Sequence, residues 1–418
     1  MRINRLPASF LVVLSLTVSG FAQVPDKVDL SALAHARNLH LRQTPHDLTN
    51  GRAHARHGIF GIDSVPNFNG QFFAEGFDAN GNPNRHWYTN IVGNPPQMGR
   101  TTTINAPIQP INIELDDVNG NLRFFMGNPL ISPMTPFVTP ILSSPVFSNA
   151  SFTSSDEPTQ YTDAIMRAEF FNKMKPDWHT LLAPSVLPAV TLHLSQSASC
   201  SSTFPFAGCN YLFVPNADNT CCLAILANAQ PFVDQLFNIV FSDITSNSVT
   251  AADISNFLVP NTLLFVGDLT QCCIGGFHEY AYDPTVNPEP RWVFTYASWF
   301  SPDVIVNGAD VLGISHELAE TFNDPFVVSD GVHNLTPWWL APNGQCQDDL
   351  EVGDVIEGLP NSEFPITVNG FTYHPQNVAL IQWFEFQQTS DAIDGAFSYP
   401  DTTVLPGAPI LQNPGCVP

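Results

Sequence analysis

The stretch "DVLGISHELAETFNDP", Asp310 to Pro325, carries His316, Glu317 and Glu320 as His-Glu-x-x-Glu. An imidazole and a carboxylate four residues apart suit a divalent metal. On a helix that advances about 100° per residue, positions i, i+4 and i+8 share one face. With His316 at 0°, Glu320 falls near ~40° and Asp324 near ~80°, whereas Val311, Ile314, Leu318 and Phe322 fall at roughly 160–240°. His316, Glu320 and Asp324 are therefore candidate ligands on one side of an amphipathic helix. Glu317, near ~100°, sits at the edge of that face. The same pattern also describes the solvated polar face of an ordinary helix.

A second group of acids follows in "NGQCQDDLEVGDVIEG": Asp348, Asp349, Glu351, Asp354 and Glu357. It reads as strand and turn. The carboxylates from Asp348 to Asp354 are a candidate calcium site, since calcium takes oxygen ligands from irregular loops. An acidic surface loop is the plain alternative. His278 in "GGFHEYAYDP" and His333 in "DGVHNL" are further ligand candidates. For a metal site to form, His316 and Glu320 must converge in space with a further ligand among Asp324, Glu351, Asp354 or His278.

Helices that position these residues are expected over "TQYTDAIMRAEFFNKM", "QPFVDQLFNIVFSDI" and Asp310 to Asn323, the last closed by Pro325. In the first, Ala164, Ala168 and Phe171 form the apolar side, flanked by Ile165 and Met174. "TLLFVGD" and "RWVFTYASWF" read as strands. "TTTINAPIQPINIELDDVNGNLRFFM" alternates like a hairpin about "DDVNGN". The fold class expected is α+β, with a β-rich N-terminal portion over 61–140 and a disulfide-stapled α+β domain over 141–418. Trp292, Trp299, Trp338, Trp339 and Trp383 are candidates for core filling or sugar stacking. Paired acids such as Asp348 and Asp349 also raise a glycosidase reading, which depends on their separation in space.

Residues 1–22 read as a secretory signal peptide: two arginines in "MRINR", the apolar run "ASFLVVLSLTVSGFA", and small residues at Gly20 and Ala22 before Gln23. The run is shorter than a membrane span. Residues 23–60 show weak apolar periodicity and read as a mobile segment, a candidate pro-segment. Its histidines (His35, His40, His46, His54, His57) read as solvated. Eight cysteines in an exported chain imply four disulfides and no free thiol. Cys200 and Cys209 are the best local pair. The adjacent pairs Cys221–Cys222 and Cys272–Cys273 are each expected to bond elsewhere.

The formal net charge is −24. After Lys175 the only lysine or arginine is Arg291, against more than twenty acidic residues. Such a surface repels nucleic acid and anionic membranes. Phosphate-binding and dinucleotide-binding loops and GxSxG contexts do not stand out.

"SHELAETFNDP" resembles the active helix of the zincin-like metallopeptidases. With "TQYTDAIMRAEFF", "GGFHEYAYDP" and "GQCQDDLEVGD" it is also similar to secreted bacterial proteins carrying SHExxE followed by Asp-Pro, over about Asn149 to Gly358. The zincin resemblance implies a mixed sheet over the active helix, zinc at His316 and Glu317 as base. In glutamate-type zinc peptidases a downstream glutamate completes the site, which points to Glu351, 31 residues after Glu320. Glu320 stands where the second histidine of HExxH would be, and neither an HxxGxxH extension nor a Met-turn is present. A carboxylate in that place makes the site more anionic and a bound water less acidic. The expectation is a secreted metal-dependent hydrolase, a zinc peptidase acting on peptide or extracellular polymer. The alternative is a non-catalytic binding or structural protein on the same scaffold.

Overall fold

A computed structural model of the chain describes residues 40–41, 62–77, 83–153, 157–283, 285–305, 308–327, 339–344, 346–347 and 350–408. The expected signal peptide over 1–22, most of the 23–60 segment, His333, Trp338, Asp348, Asp349 and Cys416 lie outside the described residues. The strands that matter here are, in chain order, β1 (Asn67–Phe77), β2 (Pro83–Val92), β3 (Thr101–Asp116), β4 (His179–Val186), β5 (Val190–Ser195), β6 (Tyr211–Val214), β7 (Ala224–Asn228), β8 (Ile254–Pro260), β9 (Thr262–Phe265), β10 (Cys272–Ile274), β11 (Gly276–Tyr282) and β12 (Glu289–Ile305). The helices are α1 (Tyr161–Glu169), α2 (Ala229–Thr245) and α3 (Leu312–Asn323).

The main sheet is mixed. β3 runs parallel to β4 along its first half and parallel to β5 along its second. β8 lies parallel to both β3 and β12, and β11 pairs antiparallel with β12. The expected strands and mixed α and β content are present. The long alternating stretch from Thr101, expected in a β-rich N-terminal portion, supplies an interior strand of this sheet, paired with strands from beyond residue 178. The turn after it forms as read: Asp117 Oδ1 accepts from the amides of Asn119 and Asn121.

Period-two alternation sorts each strand onto two faces. In β11, Tyr280 and Tyr282 face one core and Phe277 and Ala281 the other. In β12, Val293, Ala297 and Trp299 take the first face, Phe294 and Tyr296 the second. The first core also takes Ala164, Ile165 and Ala168 of α1, Ile314, Leu318 and Phe322 of α3, and C-terminal residues such as Trp383. The second core takes α2 and a smaller sheet, ordered β6, β7, β9, β10. Trp299 and Trp383 fill core, as one of the two readings held. Phe171 departs from its expected place. α1 ends at Glu169, so Phe171 is 45% exposed and Phe170 packs inward in its stead.

The disulfides correct one expectation. Cys200 bonds Cys209 as anticipated, but Cys221 bonds Cys222 and Cys272 bonds Cys273. Each adjacent pair has a sequence separation of 1, so it closes no loop between distant parts. Of the described bridges, only Cys200–Cys209 closes a short loop; the core of the fold is held by burial.

α2 carries one conflict between its charge and its setting. Asp243 Oδ2 is buried without a hydrogen-bond partner, and burial pushes the Asp243 carboxyl up to about 6. An acid whose folded pKa exceeds its unfolded value of about 3.9 costs stability as pH rises from there through the folded pKa. Asp243→Asn is therefore expected to raise the melting temperature at pH 7 and to leave it unchanged at or below about pH 4, read by thermal unfolding at both pH values.

Candidate metal centre

α3 begins at Leu312, two residues later than expected. Asp310 is tied up first: its Oδ1 accepts from the amides of Val311 and His374, and its Oδ2 lies 2.7 Å from His374 Nδ1. The helix packs on β11 and β12 and against β2 and α1. Every residue from Leu312 to Asn323 is buried, so the polar side of this helix is not a solvated face. It is enclosed by β11 on one side and by the turn around Gly353 on the other.

His316 Nε2 lies 3.1 Å from Glu320 Oε2 and 3.5 Å from Asp354 Oδ1. His278, from the α3-facing side of β11, places Nδ1 3.6 Å from Glu320 Oε2 and 3.7 Å from Glu317 Oε2. Two groups of metal-competent atoms result, His316–Glu320–Asp354 and His278–Glu317–Glu320, and Glu320 belongs to both. All five side chains are at most 10% exposed.

Each imidazole is held by the nitrogen that faces away from the carboxylates. His316 Nδ1 is 2.5 Å from Gln376 Oε1, and the Gln376 amide donates to Gly353 O at 2.9 Å, which fixes which end of that amide accepts. The amide N–H of Gln376 is itself held by Ser315 Oγ. His278 Nε2 lies 3.2 Å from the carbonyl oxygen of Asp324. Both rings therefore donate outward and turn the other nitrogen toward acids, the arrangement by which outer hydrogen bonds orient metal-binding histidines. Glu320 is positioned in the same way, its Oε1 accepting from the amides of Gly353 at 3.0 Å and Asp354 at 3.4 Å.

Two glycines permit this crowding. A Cβ on Gly353 would sit 2.6 Å from His316 Nδ1. A Cβ on Gly276 would sit 2.8 Å from both Glu317 Cγ and the carbonyl oxygen of Tyr296. The turn and β11 reach α3 because neither position has a side chain.

The electrostatics favour positive charge on the two imidazoles beside the carboxylates. Burial opposes protonation of His278, yet Glu317 and Glu320 outweigh it and push the ring up to about 10. His316 is raised in the same way, burial being overcome by Glu320 and Glu317. Burial, then repulsion from Glu320, raises Asp354 well above the usual carboxylate range. Glu317 is raised by burial. Burial would raise Glu320 too, but the two histidines hold it below the ordinary value.

Of the residues singled out in the sequence, the fold brings together His316, Glu317, Glu320, His278 and Asp354. Asp324 caps the C-terminus of α3 and contributes its carbonyl oxygen to His278; its carboxylate is in neither group. Glu351 is half-buried three residues before Asp354 and is in neither group. Asp354, the far end of the candidate calcium loop, turns into the centre instead. Gln376 and Gly353 carried no ligand pattern, although the glycine beside an acid in "EVGDV" marks a close backbone approach. A third group, Glu114, Asp116 and His193, lies on neighbouring strands β3 and β5, where His193 is 53% exposed. No family model, curated protein or solved structure matches the chain.

Gln376→Leu removes the acceptor that orients His316. It is expected to weaken binding of an added divalent metal by about 10–100-fold, the usual cost of losing an outer-shell partner. Gln376→Glu keeps an acceptor at that place and should retain most of the affinity. Competition with a chromophoric chelator measures both, with circular dichroism to check folding.

Proposed function

We propose that the chain is a secreted metal-dependent hydrolase of zincin type, a zinc peptidase with HExxE in place of HExxH, acting on peptide or an extracellular polymer. One observation carries the reading: His316 Nε2, Glu320 Oε2 and Asp354 Oδ1 converge with the outer nitrogen of His316 already held by Gln376. Donors bonded to one tetrahedral zinc at about 2.1 Å lie about 3.4 Å apart. The 3.1 and 3.5 Å spacings match that edge, and 3.5 Å is long for a hydrogen bond. One imidazole with carboxylates suits zinc or manganese better than calcium, which prefers oxygen alone.

In this reading His316, Glu320 and Asp354 hold the ion, and zinc there supplies Lewis-acid polarisation of a carbonyl and of water. Glu317 manages the proton. Its Oε1 is 3.9 Å from His316 Nε2, beside the ligand set, and burial raises its proton affinity. It takes a proton from water and returns it to the leaving group. Gly276 leaves the room Glu317 occupies.

The depth of the site favours a second reading, a non-catalytic extracellular protein in which the ion serves as a staple. Structural zinc sites are closed, whereas catalytic ones keep an open position.

Purified protein is expected to hold zinc through dialysis against a mild chelator, and His316→Ala to lose the ion held by His316, Glu320 and Asp354, read by elemental analysis as a fall in zinc relative to the parent. Glu317→Gln should keep the ion at His316 and lower peptide hydrolysis by about 100-fold or more, since general base catalysis contributes about 10²–10⁴-fold. Glu320→His rebuilds HExxH and should bind zinc at least as well as the parent. Protein that takes up neither zinc nor manganese refutes the metal reading. Protein that binds zinc, loses melting temperature on chelation and hydrolyses no peptide supports the staple.

A further inference from the structure

Glu320 Oε2 sits between two imidazole nitrogens, 3.1 Å from His316 Nε2 and 3.6 Å from His278 Nδ1. Those two histidines do not join one group with Glu320, because the three donor atoms do not all lie within 4.8 Å of one another. Both histidine–glutamate distances are short, so it is the two rings that stand apart. Nitrogens on a single zinc at about 2.1 Å are at most about 4.2 Å apart. One ion therefore does not reach both rings, and an ion at His316 leaves His278 unexplained.

His278 has the features of a ligand in its own right. Its Nε2 is held by the Asp324 carbonyl oxygen, so its Nδ1 faces Glu317 and Glu320. The 3.6 and 3.7 Å separations exceed normal hydrogen bonds and fit donors sharing one ion. Glu317 has an oxygen for each side: Oε2 toward His278 and Oε1 toward His316.

Charge points the same way. Glu317, Glu320 and Asp354 bring three buried carboxylates, and among the described residues their only ion-pair partners are the two histidines. Arg291, the one arginine of this half, is engaged with Glu289 and lies over the rings of Tyr280 and Phe326. With neutral imidazoles, one divalent ion leaves a buried net negative charge. Two leave a single positive charge, which one anionic group of a substrate balances.

We infer that the centre takes two divalent transition-metal ions that share Glu320, one held by His316 and Asp354 and the other by His278 and Glu317. The inference rests on the metal-centre reading above and extends it. Paired ions about 3.5–4 Å apart clamp the attacking and leaving oxygens of hydrolytic reactions, and a shared carboxylate oxygen holds ions at that separation. Glu317 then contributes Oε2 to the second ion and keeps Oε1 for the proton.

Equilibrium dialysis of the full chain against zinc, followed by elemental analysis, should give two ions per chain. His278→Ala should give one, and His316→Ala should also give one, held by the other half. Manganese(II) loading of the unaltered protein provides a reading that needs no variant: a spin-coupled pair in electron paramagnetic resonance rather than an isolated six-line signal. One ion per chain with an uncoupled manganese signal overturns the two-ion centre, whether or not His278→Ala removes it, and leaves the single-site reading standing. No ion at all removes both.

Discussion

The burial of three carboxylates against two imidazoles, with lysine and arginine all but missing from the second half of the chain, constrains everything around α3. A charge removed from water must be matched by an opposite charge and by hydrogen bonds, or it becomes neutral. Here the hydrogen bonds are supplied from behind: Gln376 to His316, the Asp324 carbonyl oxygen to His278, and two backbone amides to Glu320. The front of each group is left facing the others. Of the inward contacts, His316 Nε2 to Glu320 Oε2 is at hydrogen-bond distance, 3.1 Å, and the others run from 3.5 to 3.9 Å, an arrangement that could hold a metal ion.

The main sheet makes this possible by geometry. Alternation along β11 puts His278 on the same face as Tyr280 and Tyr282, the face that carries α3. The parallel core of β3, β8 and β12 holds that face rigid, and apolar residues of α3 lock into it through Ile314, Leu318 and Phe322. With that stripe committed to the core, His316, Glu317 and Glu320 turn toward β11 and the Gly353 turn. The close approach of both neighbours depends on glycine, at Gly276 and Gly353. The catalytic reading and the staple reading share this scaffold; they differ in whether a substrate reaches side chains that lie this deep.

Much of this was legible from residue types and spacing. Helical period located α1, α2 and α3, because an amphipathic stripe is a local property of the chain. His316, Glu317 and Glu320 follow from one turn of one helix, and His278 and Asp354 were nameable as candidates from composition. The pattern did not separate a solvated face from an enclosed one, since burial is decided by what packs on top. Nor did it choose among Asp324, Glu351 and Asp354. Asp324 continues the helical face on paper, but the helix ends there and its backbone turns away. Glu351 and Asp354 lie in one turn, and only tertiary contact between that turn and Glu320 selects the second.

The adjacent cysteines teach the same lesson in reverse. Avoidance of neighbour bonding is a general tendency, and the backbone at Cys221–Cys222 and Cys272–Cys273 departs from it. By itself the sequence determined the helices, the sheet content, the strongly negative charge and the metal-competent residues of one helical turn, because each depends on neighbours within a few positions. The tertiary structure decided the rest: which strand of the main sheet Thr101–Asp116 becomes, that α3 is enclosed, that Asp354 and His278 close on it from opposite sides, and that Glu320 belongs to both groups. Those facts depend on segments up to a hundred residues and more apart meeting across a shared core, and no local pattern encodes a distance of 3.5 Å between them.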